Sequence, residues 1–140
     1  LKTLLHETRI NVRFSEVDPM GIVWHGNYLR YIEDGRENFG REHGIGYMDL
    51  YEQGLKVPIV KLNINHKKSL RYGDEVLVET TYIDSPAAKI IFKFKLTNTA
   101  TNEVVATCES TQVFVDEKDE LQLNIPDFFN AWRRKVGFIE

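Results

Sequence analysis

Only one cysteine, Cys108, occurs in the 140 residues. No disulfide can close within the chain, and a fold without bridges suits a reducing compartment. No uninterrupted apolar run approaches the roughly 18–20 residues that a membrane span needs, so no integral membrane contact is expected. Charge of a single sign is also lacking. The 18 basic and 21 acidic residues leave −3, which gives neither nucleic acid nor an anionic membrane surface a reason to bind. The first strand-like segment carries His6, Glu7, Arg9 and Arg13, which excludes the apolar stretch of a signal peptide there. His6, His43 and His66 show no metal-ligand spacing with one another or with Cys108, so neither metal nor cofactor is expected. A phosphate loop, a dinucleotide glycine fingerprint and a Gly-x-Ser-x-Gly elbow are missing too.

What is present suits a soluble, cytoplasmic protein with one domain over residues 1–140. Hydrophobic residues make up 42% of the chain, which is ordinary for a packed core. Residues 4–14 alternate, with Leu4, His6, Thr8, Ile10, Val12 and Phe14 on one face of a half-buried strand. A turn at residues 15–19 follows, and Pro19 keeps Asp18 out of the helical region. From about Asn27 the period lengthens. Tyr28, Ile32, Gly35 and Phe39 line one face of a helix, with Leu29 and Tyr31 beside them. Arg30, Glu33, Asp34, Arg36, Glu37 and Arg41 fill most of the remaining positions. Gly35 on the apolar face predicts close approach of another backbone, and Gly44 and Gly46 end the helix.

A short irregular or helical segment over 46–54 offers Met48, Leu50 and Tyr51 for packing. Four strand signals follow, over 57–66, 75–83, 89–97 and 103–115, joined by short turns. Cys108 falls mid-strand, as a buried small hydrophobe. Pro126 opens a short helix with Phe128, Phe129 and Trp132. The order β-α-β-β-β-β plus a short C-terminal helix predicts an α+β fold with an antiparallel sheet against one long helix. The second face of that sheet also carries apolar residues, and another copy of the chain is the simplest cover for it.

The chemistry concentrates at residues 18–36. Asp18 reads first as a turn residue capping a nearby amide. Its second reading needs a partner, and His25 lies at a helix start, where unpaired N–H groups point outward. Such groups hold a developing oxyanion, while a carboxylate attacks an acyl carbonyl or activates water to do so. A thioester suits this pair, because a thiol with a free pKa of roughly 8.5 leaves without a strong general acid. Lys67, Lys68 and Arg71, and Lys89 with Lys93, either solvate the surface or hold phosphates.

The run Phe14-Ser15-Glu16-Val17-Asp18-Pro19-Met20-Gly21-Ile22-Val23-Trp24-His25-Gly26-Asn27-Tyr28-Leu29-Arg30-Tyr31 resembles the signature of the 4-hydroxybenzoyl-CoA thioesterase family of hot-dog proteins. It is close to the YbgC-like acyl-CoA thioesterase branch. The likeness continues through Pro58-Ile59-Val60 and the turn at residues 70–76. It implies a hot-dog fold, in which a five-stranded antiparallel sheet wraps one long central helix. It also implies a homodimer or homotetramer with active sites at the interface, and hydrolysis of acyl-CoA or acyl carrier protein thioesters. Carried over, Asp18 is nucleophile or general base, and the backbone at His25 and Gly26 polarises the carbonyl. Val23, Trp24 and Asn27 lie beside the substrate. Pro58, Ile59, Val60 and Lys61 of a second copy line the acyl pocket. The family's arginines for CoA phosphates are absent near the fourth strand, where only Lys89 stands. A non-catalytic thioester-binding module and a hot-dog dehydratase are the alternatives on this fold.

Overall fold

The computed structural model describes residues 3–140. Five strands form one antiparallel sheet in the order β1-β3-β4-β5-β2. They are β1 (Leu4–Asn11), β2 (Ile59–His66), β3 (Glu75–Ile83), β4 (Lys89–Asn98) and β5 (Glu103–Val113). Three helices, α1 (Asn27–His43), α2 (Tyr47–Glu52) and α3 (Asp127–Val136), complete the chain. The order is the expected one with one short helix added. No helix among the described residues is long and apolar enough to cross a membrane.

The sheet packs one face on α1. Val76, Val78, Thr80 and Tyr82 of β3 and Ile90, Phe92, Phe94 and Leu96 of β4 are buried there, at the period of two that a half-covered sheet requires. Tyr28, Tyr31, Ile32 and Phe39 of α1 meet them. The middle of the outer face is polar: Glu79 pairs across the strands with Lys95 at 3.6 Å. That face keeps apolar side chains at its margins, with Leu5 exposed and Leu77, Ile83 and Ile91 half-buried, and the edge strand β2 adds the exposed Ile59, Val60 and Leu62. Cys108 is buried on the inner face, where burial pushes its thiol up to about 11.

Four local readings change. Phe14 leaves the strand: the ladder ends at Asn11, and residues Phe14–Glu16 make a 3-10 turn closed by the Glu16 carboxylate on the Arg13 N–H. The Phe14 ring is exposed and meets Tyr72 edge-on at 5.7 Å. Met48 and Tyr51 of α2 are also exposed, and only Leu50 of that helix is buried. Arg36, placed among the surface charges by its type, is 1% exposed.

Close approach at Gly35 is to side chains: a Cβ there would stand 2.7 Å from Thr80 Oγ1 and from Val78 Cγ1. The backbone-on-backbone contact is at Gly40, where a Cβ would stand 2.6 Å from Gly46 Cα. Gly44 follows in the left-handed region at φ 81° and turns the chain back onto the helix end. Backbone cannot yield as a side-chain tip can, so Gly40→Ala is expected to lose about 1–3 kcal/mol in urea unfolding. An unchanged midpoint would contradict the contact.

At the other end of the molecule α3 lays Phe129 and Trp132 against Tyr82. Arg133 fixes it there by two hydrogen bonds to the Asp84 carboxylate, at 2.8 and 3.0 Å.

Candidate active site

The chain between β1 and α1 is folded tightly by its own backbone. The Asp18 N–H donates to Ile22 O at 2.8 Å, and the Gly21 N–H donates to Asp18 O at 2.9 Å. Gly21, at φ 82°, supplies the left-handed residue that this turn needs. Val23 N–H then donates to Leu70 O, and Trp24 N–H to Glu16 O. These bonds tie the turn to the segment leading into β3 and to the 3-10 turn.

The turn reading of Asp18 is what its hydrogen bond shows. One carboxylate oxygen, Oδ1, accepts the Met20 N–H at 2.8 Å and fixes the side chain. Among the described residues Oδ2 accepts no hydrogen bond, which leaves it available to a substrate or a water.

Helix α1 begins at Asn27 with Gly26 as its N-cap. Its first contacts use the carbonyls of Trp24 and His25, which accept from Asn27 and Tyr28 N–H. The N–H groups of His25 and Gly26, just before the helix, donate to no acceptor among the described residues. A Cβ at Gly26 would overlap the Trp24 indole, which lies over this corner and also against the His25 ring at 4.9 Å.

Asp18 and His25 line one cavity of about 330 Å³, together with Met20, Ile22, Val23, Tyr28, His66, Lys67, Lys68 and Ser69. The sequence placed Asp18, His25 and Val23 here. His66 and Ser69 were missed, because the sheet, and no local spacing, brings the end of β2 to the turn before α1. His66 packs its ring on Tyr28 at 4.8 Å. Burial holds the Tyr28 phenol above its ordinary range, and its oxygen accepts the Leu70 N–H at 3.3 Å, so Tyr28 is a neutral wall of the cavity.

Trp24 lies outside this lining, against Gly26. Asn27 is buried and spends its amide on Glu16 O at 2.8 Å, a structural bond that holds the helix start to the 3-10 turn. Pro58, Ile59, Val60, Lys61 and Lys89 stand at the other end of the sheet: Ile59 pairs with Gln112 and Lys89 with Val113. The seven steps from Ile59 to His66 along β2 span roughly 23 Å. Within one copy of the chain, none of these five residues lines the Asp18 cavity.

Over residues 12–133 the chain matches the family described as the thioesterase-like superfamily. The putative acyl-CoA thioesterase YneP of Bacillus subtilis (strain 168) is 33% identical over 129 residues, which are 89% of this chain and 93% of that protein. The chloroplastic acyl-acyl carrier protein thioesterase ATL3 of Arabidopsis thaliana is 30% identical over 116 residues, 81% of this chain and 60% of that protein. Among solved structures, the DHNA-CoA thioesterase of Staphylococcus aureus superposes with a TM-score of 0.82 at 27% identity, over 94% of this chain and 90% of that one.

Proposed function

This chain belongs to the thioesterase-like superfamily, and from that premise we propose that it hydrolyses acyl thioesters of coenzyme A or of acyl carrier protein, with Asp18 as the reacting carboxylate. The observation that carries the reading is the shared cavity of Asp18 and the α1 N-terminus. The Asp18 carboxylate, with Oδ2 unbonded among the described residues, and His25, whose backbone N–H is likewise uncommitted there, border the same space, and Gly26 follows as the helix N-cap.

The thioester carbonyl oxygen sits against the His25 and Gly26 N–H groups, which stabilise the negative charge that develops on it. Asp18 Oδ2 then either attacks the carbonyl carbon or takes a proton from the water that does. In both cases the C–S bond breaks and the thiol departs as thiolate; in the first case water then cleaves the acyl–Asp18 anhydride, which releases the carboxylic acid and restores the Asp18 carboxylate. The His25 side chain has no required part in this step; its backbone does.

Thiol release from short, long and aromatic acyl-CoAs, with acyl carrier protein conjugates beside them, tests the activity. Hydrolysis of at least one class supports it. Ligand binding without turnover across the whole series would point to a binding module instead. Product analysis on a 3-hydroxyacyl thioester separates hydrolysis from dehydration.

The second copy of the chain belongs to the same proposal. β2 is an edge strand, exposed along its length, with Val60 60% exposed. Such an edge invites pairing. Two β2 edges paired antiparallel about their midpoint place Ile59 of one copy beside His66 of the other. Residues 58–61 of the second copy then reach the Asp18 cavity, as an acyl-pocket wall requires. Leu62→Lys, near that midpoint, is expected to lower the mass seen by light scattering to one chain and to cut turnover with it. Unchanged mass and turnover would contradict the β2 interface.

A further inference from the structure

We propose that Lys67 and Lys68 hold the phosphate of the substrate's phosphopantetheine arm, a role that rests on the thioesterase reading of the same cavity. Both lysines line the space that contains Asp18 and His25, and the Ser69 residue follows them there. Their placement is fixed from the backbone: both N–H groups donate to the Val105 carbonyl, at 2.8 and 3.1 Å, immediately after β2 ends. The loop therefore continues the sheet, and the two ammonium groups stand on an anchored base.

Their charges are available. Lys67 makes no ion pair among the described residues, and Lys68 meets only Glu103, at 3.7 Å with both side chains largely in solvent. An exposed pair at that separation contributes little and gives way to a phosphate oxyanion, which takes stronger charge-assisted hydrogen bonds. Of the other basic candidates, Lys89 lies at the far end of the sheet in the same copy. Arg71 is outside the cavity lining, with its backbone N–H on the Asp74 carboxylate. Lys67 and Lys68 are thus the cations that this chain itself brings to its reacting carboxylate.

The chemistry of the substrates fits the location. CoA and carrier protein thioesters share the pantetheine arm and its phosphate and differ beyond it. A site for that phosphate serves both classes, and it orients the arm so that the carbonyl end enters toward Asp18. Lys67 and Lys68 are positioning residues on this account: they act on binding and leave the reacting atoms alone.

Steady-state hydrolysis of three thioesters of one acyl group tests this, using whichever acyl group the wild type turns over fastest. The three carriers are pantetheine, 4′-phosphopantetheine and CoA. For the K67Q/K68Q double variant, KM is expected to rise roughly tenfold for the phosphopantetheine and CoA thioesters, with kcat within twofold of wild type. The pantetheine thioester, which lacks the phosphate, is expected to keep its wild-type KM. A KM change confined to the CoA thioester would overturn the proposal by moving the contact to the nucleotide. Equal changes for all three carriers, or no change for any, would also overturn it while leaving the thioesterase reading intact. Failure of the wild type to hydrolyse any of them would remove that reading and this one together.

Discussion

Asp18→Asn is expected to lower kcat by about a hundred- to ten-thousandfold while the fold and KM stay near wild type. The substitution is selective because of how Asp18 is held. Its Oδ1 accepts the Met20 N–H, and an asparagine carbonyl oxygen accepts the same bond. The turn that carries the side chain therefore survives. What disappears is the negative charge at Oδ2, the oxygen with no partner among the described residues. An amide at that position neither attacks a thioester carbonyl nor takes a proton from water. Loss of kcat at constant KM places the missing interaction in the transition state. Asp18→Ala provides the comparison, since it removes the turn bond as well and is expected to lower stability where Asp18→Asn does not. Wild-type turnover by Asp18→Asn would remove Asp18 from the chemistry.

Arg36→Ala is expected to cost about 3–5 kcal/mol of folding stability in urea unfolding. The guanidinium lies in the core between two rings, with its central carbon 4.9 Å from the centroid of Tyr47 and 4.7 Å from that of Phe92. Its Nε donates to Gln112 Oε1 at 3.0 Å and its Nη1 to Ile45 O at 3.1 Å. Gln112 in turn donates to Val57 O at 2.7 Å. One buried side chain thus joins α1 to β5, to the α1–α2 turn and to the segment entering β2. Burial lowers the affinity of the guanidinium for its proton, and Tyr47, Glu33 and Glu37 act against that effect. Truncation to alanine empties the slot between the rings and strands the Gln112 and Ile45 oxygens. Arg36→Met refills most of that volume, and Nη2 has no hydrogen-bond partner among the described residues to lose, so methionine is expected to cost less than alanine. A loss below about 0.5 kcal/mol for Arg36→Ala, the range of an ordinary surface substitution, would contradict the network.

The boundaries of α1 were legible because each is set by a residue's own backbone chemistry. The apolar period begins at Tyr28, and Gly44 supplies the left-handed cap. The inward faces of β3 and β4 were legible for a similar reason, since alternation over Val76, Val78, Ile90 and Phe92 admits one buried side. Arg36 was not. Its type argues for solvent, and only the tertiary pocket formed by Tyr47, Phe92 and Gln112 makes a buried position tolerable. Phe14 failed the other way: alternation ran on through it, but the Glu16 bond to the Arg13 N–H ends the strand first.

The candidate site divides along the same line. Asp18, His25 and the helix start are neighbours in sequence, and their arrangement follows from one turn. His66, Lys67, Lys68 and Ser69 reach the cavity through the pairing of β2 with β5 and the Val105 anchor, which no local pattern encodes. Lys67 and Lys68 stood out as a basic group, but their nearness to Asp18 is a property of the sheet.

The measurement that bears most directly on the whole account detects free thiol and free carboxylic acid together. The substrate is the acyl-CoA that the wild type turns over fastest, and wild type and Asp18→Asn are compared at equal concentration. The account predicts that wild type releases the two products one for one, and that the variant releases neither appreciably above the uncatalysed rate. Equal release by both proteins, or no release by wild type from any acyl-CoA or carrier protein thioester, would contradict it.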